Sequence, residues 1–337
     1  MIARRPTVRT RRALRLVGVA TLLSGSLGAI TARDFNAESL VVSITIGLIC
    51  GVVLSSFEVL MHGPSGAMLR RMAMPAVFAL RVAIYAAVLV GAFRLATTLF
   101  LPATADFELT ARDTIIGAAI AVTLNLAFLM RSLLGGRTLA MLLTGRYHTP
   151  RREERIVLFL DLIGSTELTE RLGDLQFYRF LNRVFLDVTD VVLESGGEIY
   201  RYVGDEIIVV WPLPDGLRDA ACITCLLGIN RALARHTADY QRLFGALPHF
   251  RGALHAGPMI VGEMGDVKRE IVLLGDTMNT ASRIEGICRS TGHDHIASIT
   301  VIAALAALPE SVTARSLGTV PLRGRAGDLE LFALAAT

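Results

Sequence analysis

Acidic residues are rare in the first 135 positions, where only Asp34, Glu38, Glu58, Asp106, Glu108 and Asp113 fall out of the chain's 30. Charge is scarce overall, at 19% of residues against 53% hydrophobic, and mean hydropathy is +0.53. That balance excludes a purely soluble protein. Cysteine is equally sparse: Cys50 lies in an apolar run, and Cys222, Cys225 and Cys288 lie in a region assigned below to the cytosol. No disulfide framework is indicated. Cys222-x-x-Cys225 has no second pair nearby and sits in a helical pattern, which favours helix packing over a redox or metal pair. Residues 1–15 contain no acid but hold Arg4, Arg5, Arg9, Arg11, Arg12 and Arg15. A net charge of +4 and a pI near 9.1 would suit a nucleic-acid binder. The arginines, however, cluster at the ends of apolar runs, where membrane topology accounts for them, so no nucleic-acid partner is expected. Nor does a chain of carboxylates cross those runs, which argues against an ion path. Internal repeats and low-complexity tracts are absent.

The sequence does contain four apolar runs, at about 14–32, 40–60, 75–100 and 114–134. Each approaches or exceeds the roughly 20 residues needed to span a bilayer. Segments 31–39 and 101–113 are acidic, while the N-terminus, the 62–74 loop and everything after Arg131 are basic. The alternation predicts four spans in the inner membrane with both termini cytoplasmic. Arg81 and Arg94, toward opposite ends of the third run, are expected to snorkel to the interfaces. Asn125 in the fourth is expected to hydrogen-bond a neighbouring helix. Residues 1–135 therefore read as a membrane anchor. Gly135-Gly136 breaks the last helix, and 136–154 reads as a basic amphipathic connector to a domain at 155–337.

That domain is organised around two short strands that each end on an aspartate. One runs Arg155 to Asp161 and is followed by Leu162-Ile163-Gly164-Ser165-Thr166; the other, Glu198–Val203, turns at Gly204-Asp205 into a third strand, Glu206–Trp211. A Gly-Asp between strand-like runs is a hairpin signal. Leu168, Leu172, Leu175, Tyr178, Leu181, Phe185 and Val188 predict a helix between Gly164 and Ser195. A right-handed crossover then brings Asp161 and Asp205 to one edge. Two converging carboxylates beside a Gly164-Ser165-Thr166 turn with free backbone N–H groups suit Mg²⁺ and a polyphosphate. Further on come a helix at 216–244, strands near 249–255, through 264, and at 270–274, a helix from Gly275 to about Cys288, and short elements near 295–298, 312–317 and 329–333. The core is an α+β, ferredoxin-like βαββαβ sandwich.

Five motifs follow in order: Phe159-Leu160-Asp161-Leu162-Ile163-Gly164-Ser165-Thr166, Tyr202-Val203-Gly204-Asp205-Glu206, Arg251-Gly252-Ala253-Leu254-His255-Ala256-Gly257, Leu274 through Arg283, and Leu322-Arg323-Gly324-Arg325. Together they resemble the catalytic domain of class III adenylyl/guanylyl cyclases, over 155–333. The four-span anchor resembles that of a bacterial membrane-bound cyclase. The resemblance implies that a nucleoside triphosphate, ATP by default, is converted to the 3′,5′-cyclic monophosphate and pyrophosphate. It also implies two Mg²⁺ or Mn²⁺ ions per site on Asp161, Asp205 and the Ile163 carbonyl. Asn279 would orient the ribose and Arg283 would stabilise charge at the α-phosphate. Arg325, with Arg323 as its neighbouring alternative, would bind the terminal phosphate. Finally, it implies a two-fold homodimer that shares its sites between subunits.

The base-reading positions depart from the family. Arg201 stands where the family has Lys, and Val272 stands where it has Asp or Thr. Arg201 can donate to a ring acceptor, but Val272 cannot accept from an amino group. Glu270, two residues earlier on the same strand face, is the candidate substitute, and GTP or a pyrimidine nucleotide stays open as substrate. Two other readings are kept: a catalytically silent nucleotide-binding membrane receptor or scaffold, and a diguanylate-cyclase-like enzyme suggested by Gly196-Gly197-Glu198.

Overall fold

Apolar runs without an interior proline become long helices in the N-terminal part: α1 (Val8–Ile30), α2 (Ala37–His62) and α3 (Met74–Phe100). Pro75 lies in the first turn of α3, where its missing N–H costs nothing. The computed structural model describes residues 8–32, 36–62, 72, 74–100, 115, 119, 122–123, 125–130, 136–267, 269–322 and 327–337. The chain divides into two compact units, 1–144 and 145–337.

Two helical stretches of the first unit, Ala37–Met61 and Pro75–Phe100, are long and apolar enough to cross a membrane, with mean hydropathies of 2.4 and 2.2. The apolar part of α1, Leu16–Ile30, is shorter. Most of the fourth expected span lies outside the described residues. Helices α1 and α2 approach through small residues: a Cβ at Gly28 or Gly47 would collide with the backbone of Ser43 or Ser24. Such close packing is how helices associate where burial of apolar surface contributes little. Arg81 does not snorkel. It is buried and pairs with Glu58 of α2 at 3.1 Å, while Tyr85 donates to the other Glu58 oxygen at 2.7 Å. An interhelical partner thus replaces the interface as the solvent for this charge. Arg94 is exposed. Asn125 is fully buried, and among the described residues its amide meets no hydrogen-bond partner. Helix α4 (Gly136–Leu143) ends the unit.

The second unit is built on an eight-stranded sheet. In chain order its elements are β1 (Arg151–Leu162), α5 (Ser165–Leu172), α6 (Asp174–Glu194), β2 (Glu198–Val203), β3 (Glu206–Pro212), α7 (Leu213–Leu217), α8 (Ala221–Ala234), α9 (Thr237–Phe244), β4 (Phe250–Met264), β5 (Glu270–Leu274), α10 (Asp276–Thr291), β6 (His295–Ser298), α11 (Ile299–Ile302), β7 (Val312–Val320) and β8 (Leu329–Ala336). Strand order is β2-β3-β1-β4-β6-β8-β7, with β5 on β4. The block β4-β1-β3-β2 is antiparallel throughout, as the βαββαβ reading predicts.

Three element boundaries differ from the sequence reading. The 164–195 helix breaks at Gly173, whose φ of 72° and ψ of 156° only glycine adopts cheaply, giving α5 and α6. The 216–244 helix divides into α8 and α9. Strand β4 runs unbroken through Gly257-Pro258, and its length draws Arg151–Glu154 into β1 opposite Pro258–Val261. The end of the expected connector therefore belongs to the sheet. Buried Tyr147 and Arg155 are tied there through Glu153, with Arg155 Nη2 donating at 2.6 Å and the Tyr147 hydroxyl at 2.9 Å.

Side-chain alternation along β1 separates two cores. Ile156, Leu158, Leu160 and Leu162 pack with Phe180, Val184, Val188 and Val192 of α6, spaced four apart, and with Cys222, Ile223, Cys225 and Leu226 of α8. Each such apolar side chain buried contributes roughly 1.5–3 kcal/mol. The two cysteines are free, and burial pushes both thiols up to about 12, as a packing role requires. On the opposite face Ala253, Ile296 and Leu331 pack with Ile284 and Cys288 of α10. The residue between Leu160 and Leu162, Asp161, faces α10. The double glycine at 196–197 is structural: Gly196 has φ of 73°, and a Cβ on Gly197 would lie 2.8 Å from the Trp211 ring.

Candidate functional site

The register Leu160↔Ile207 sets Asp161, at the C-terminal end of β1, beside the turn where Gly204 (φ 61°) and Asp205 join β2 to β3. Asp161 is buried and Asp205 half-buried. Ile163 lies two residues after Asp161, its N–H donating to the His249 carbonyl at 2.9 Å. Gly164 (φ 71°) then turns the chain into α5, so Ser165 and Thr166 open a helix whose first N–H groups lie next to Asp161 in sequence. One end of the sheet thus carries Asp161, Ile163, Gly164, Ser165, Thr166 and Asp205.

Four further residues join them that sequence reading had not assigned. Arg251 stands opposite Asp161 on β4, and its Nε donates to Asp161 Oδ2 at 3.0 Å. Arg289, from the last turn of α10, reaches the same oxygen at 3.1 Å. Glu285, one turn earlier on α10, lies 3.5 Å from Arg251 and 3.9 Å from Arg289. Glu206 completes the group. Burial, followed by the charges of Glu285, Asp161 and Asp205, pushes its carboxyl up to about 7 against the pull of Arg289. Glu285 is raised by burial and by Asp161, with Arg289 and Arg251 opposing. The sequence signals were the places of Arg251 and Glu206 in the quoted motifs and the i,i+4 spacing of Glu285 and Arg289.

Four carboxylates against two guanidiniums leave an excess of negative charge and hard oxygen donors. That chemistry fits Mg²⁺ or Mn²⁺, which prefer carboxylate and carbonyl oxygens. Among the described residues no three His, Cys, Asp or Glu side chains form a preformed cage. Asp161, Asp205 and the Ile163 carbonyl are the groups available to hold such an ion.

Asn279 and Arg283 share another face of α10. At 100° per residue they lie about 120° around the helix from the Glu285/Arg289 pair. Asn279 is exposed, and the Arg283 Nη1 is buried and meets no hydrogen-bond partner among the described residues. A buried guanidinium nitrogen left unpaired costs free energy until an acceptor arrives. The structure therefore does not bring this pair to the Asp161 cluster by way of the helix face that touches it.

Arg201 of β2 meets Glu270 of β5, Nη2 to Oε2 at 2.7 Å, with the two side chains 46% and 40% exposed. Leu273 N–H donates to the Tyr200 hydroxyl at 3.2 Å, tying the same two strands. Val272 is half-buried in β5, opposite Gly262. Arg323 and Arg325 lie outside the described residues. A cavity of about 490 Å³ lies near the other end of β1, lined by Glu154, His255, Thr277 and Thr300 among others. Its His255 is bonded to Ser298 and Thr300, and Thr277 to the Pro258 carbonyl.

Residues 148–336 match the family model described as "Adenylate and Guanylate cyclase catalytic domain". Among curated proteins the chain is 40% identical over 207 residues to "Adenylate cyclase 2" of Rhizobium meliloti (strain 1021), covering 61% of this chain and 57% of that protein. It is 28% identical over 186 residues to "Adenylate cyclase" of Anabaena cylindrica, covering 53% and 36%. The matches thus span little more than half, and about a third, of those proteins. A solved bacterial light-regulated adenylyl cyclase shares the fold, with a TM-score of 0.56 and 21% identity over 67% of this chain and 66% of that one.

Proposed function

The chain belongs to the adenylate and guanylate cyclase catalytic domain family, its match covering more than half of the sequence, and from that premise we propose that it is a membrane-anchored adenylate cyclase. Its substrate is ATP, and its products are the 3′,5′-cyclic monophosphate and pyrophosphate. The ribose 3′-hydroxyl gives up its proton to solvent as its oxygen attacks the α-phosphorus, one P–O bond forms, and the bond to pyrophosphate breaks. Two divalent ions held by Asp161, Asp205 and the Ile163 carbonyl would acidify the 3′-hydroxyl and neutralise the triphosphate. The N–H groups around Gly164, Ser165 and Thr166 bind phosphate oxygens. Arg283 offers its guanidinium, whose Nη1 meets no partner among the described residues, to the charge that develops at the α-phosphate, and Asn279 holds the ribose. Arg325 serves the terminal phosphate. Arg201 donates to the adenine ring, while Glu270 supplies the acceptor for the 6-amino group that Val272 lacks.

The observation that carries this reading is the division of labour on α10. Its Glu285/Arg289 face touches the chain's own Asp161, while Asn279 and Arg283 look elsewhere, the half-buried Arg283 keeping its Nη1 unsatisfied among the described residues. That division supports a homodimer in which each active site takes its carboxylates from one subunit and Asn279/Arg283 from the other. The four-span anchor with a cytoplasmic catalytic domain is supported by the arginine distribution and by the two helices long enough to cross a bilayer. The test is turnover by the purified full-length chain with Mg²⁺ or Mn²⁺ and each of four nucleoside triphosphates, with products identified by mass spectrometry. Cyclic AMP as the main product is expected. Asp205→Ala should cost at least roughly 10²-fold, as loss of such an electrostatic contact usually does. No cyclic product from any triphosphate would refute the proposal.

A further inference from the structure

Two guanidiniums reach one oxygen of Asp161, and they are held very differently. Arg251 comes from the neighbouring strand, its position fixed by register, and its side chain is only 15% exposed. Arg289 comes from the last turn of α10, and its side chain is 62% exposed. Its other carboxylate neighbour, Glu285, is 3.9 Å away. An exposed arginine with one close and one distant carboxylate gains little, because solvent screens the pairs and the side chain loses rotamer freedom. Asp161, by contrast, is buried among like charges, with Asp205, Glu206 and Glu285 around it. In that setting each positive charge near Asp161 offsets repulsion.

We propose that Arg289 is a displaceable counter-ion for Asp161, so that binding of a divalent cation at Asp161 and release of Arg289 are one exchange. Arg289 is a positioning residue, not a catalytic one. In the metal-free chain it neutralises the carboxylate and keeps it oriented toward the end of β1. A dication at Asp161 repels both guanidiniums that share Oδ2, and the more weakly held one leaves. Arg289 is the one whose release uncovers the smaller share of its side chain, 62% of which is already exposed against 15% for Arg251. Arg251 stays, because leaving would strand a mostly buried charge. The exchange sets a threshold: the site loads only when the cation outcompetes the arginine. This rests on Asp161 being a metal ligand, as proposed above.

The experiment is an Mn²⁺ titration of full-length protein in detergent, without nucleotide, with free Mn²⁺ read by electron paramagnetic resonance. Loss of a residue that supports a binding site weakens binding, whereas loss of a competitor tightens it, so the sign decides. Arg289→Ala should lower the Mn²⁺ Kd roughly two- to fivefold at low salt, the range exposed ion pairs span. Arg289→Lys should remain near wild type, and the gap should narrow in 0.5 M salt as screening weakens the pair. In an Asp161→Asn background the effect of Arg289→Ala should vanish. An unchanged or weaker Kd in Arg289→Ala overturns the inference, as does equal tightening in the Asp161→Asn background. If Asp161→Asn leaves Mn²⁺ affinity untouched in the wild-type background, the metal assignment itself fails and takes this inference with it.

Discussion

Removing the carboxylate of Glu270 should change which base the site prefers without unfolding the protein. The Arg201–Glu270 pair spans 2.7 Å, but both side chains are more than a third exposed, so it contributes roughly 0.2–1 kcal/mol to stability. For a unit of this size that corresponds to a fall in Tm of about 4 °C or less. A hydrogen bond from the adenine 6-amino group to a charged acceptor contributes more, roughly 1.5–3 kcal/mol. Glu270→Ala should therefore reduce kcat/KM for ATP roughly ten- to 150-fold. Loosening Arg201 affects every purine alike, so the comparison has to be internal. Purine riboside triphosphate keeps the N1 acceptor and lacks the amino group. Its kcat/KM should fall by no more than about fivefold, the loss expected from weakened positioning alone. Glu270→Gln, which retains an acceptor oxygen, should recover part of the ATP activity. Equal losses for both nucleotides would refute the reasoning, because Glu270 would then support Arg201 and not touch the base.

Co-expression of Asp161→Ala with Arg283→Ala, each inactive alone, should restore about a quarter of wild-type activity, since half of randomly assorted dimers carry one intact site of two. Mixed dimers as dead as either parent would require the groups to act within one chain. A reporter fused after Thr337 should be cytoplasmic and one inserted near Asp106 periplasmic; an external C-terminus would overturn the four-span topology. Burial holds the His295 imidazole below its usual value, with His249 adding to the effect and Asp294 opposing it. A depressed folded-state value means that the stability contributed by neutral His295 is present above about 6.5 and lost as pH falls below it. His295→Gln should flatten the decline in Tm between pH 7 and 5, and an unchanged slope would assign the acid sensitivity elsewhere.

The features legible in the sequence are those fixed by local pattern. The period-2 runs ending at Asp161 and Val203, the Gly204-Asp205 turn and one right-handed crossover suffice to bring two aspartates to one sheet end. The apolar runs likewise predict α2 and α3 from length alone. Glycine conformation escaped that reading. Nothing in the composition of 164–195 marks Gly173 as a break rather than a tolerated helical glycine, because the break is made by a ψ value that only the packed chain selects. Long-range charge pairs escaped it too. Arg81 reads as a snorkelling residue until Glu58, 23 positions earlier, proves to be its partner on the neighbouring helix.

Arg289 illustrates the same limit at the site. Its partner Asp161 lies 128 residues away in the chain, and on sequence alone Arg289 is one more basic residue in the last turn of a helix, where the dipole welcomes it. Knowing that α10 covers the sheet face opposite α6 turns that bland residue into a neighbour of the carboxylate cluster. The same placement bears on Asn279 and Arg283. If the Glu285/Arg289 face is committed to the chain's own β1 and β4, the face about 120° away cannot serve the same carboxylates unless the helix rolls. Rolling would pull Ile284 and Cys288 out of the core they form with Ala253, Ile296 and Leu331. Exposing two such side chains costs several kcal/mol, roughly 1.5–3 for each large apolar one. A second subunit that brings its own Asp161 to Arg283 requires no such loss, so the packing of one helix is itself a reason for the site to be shared.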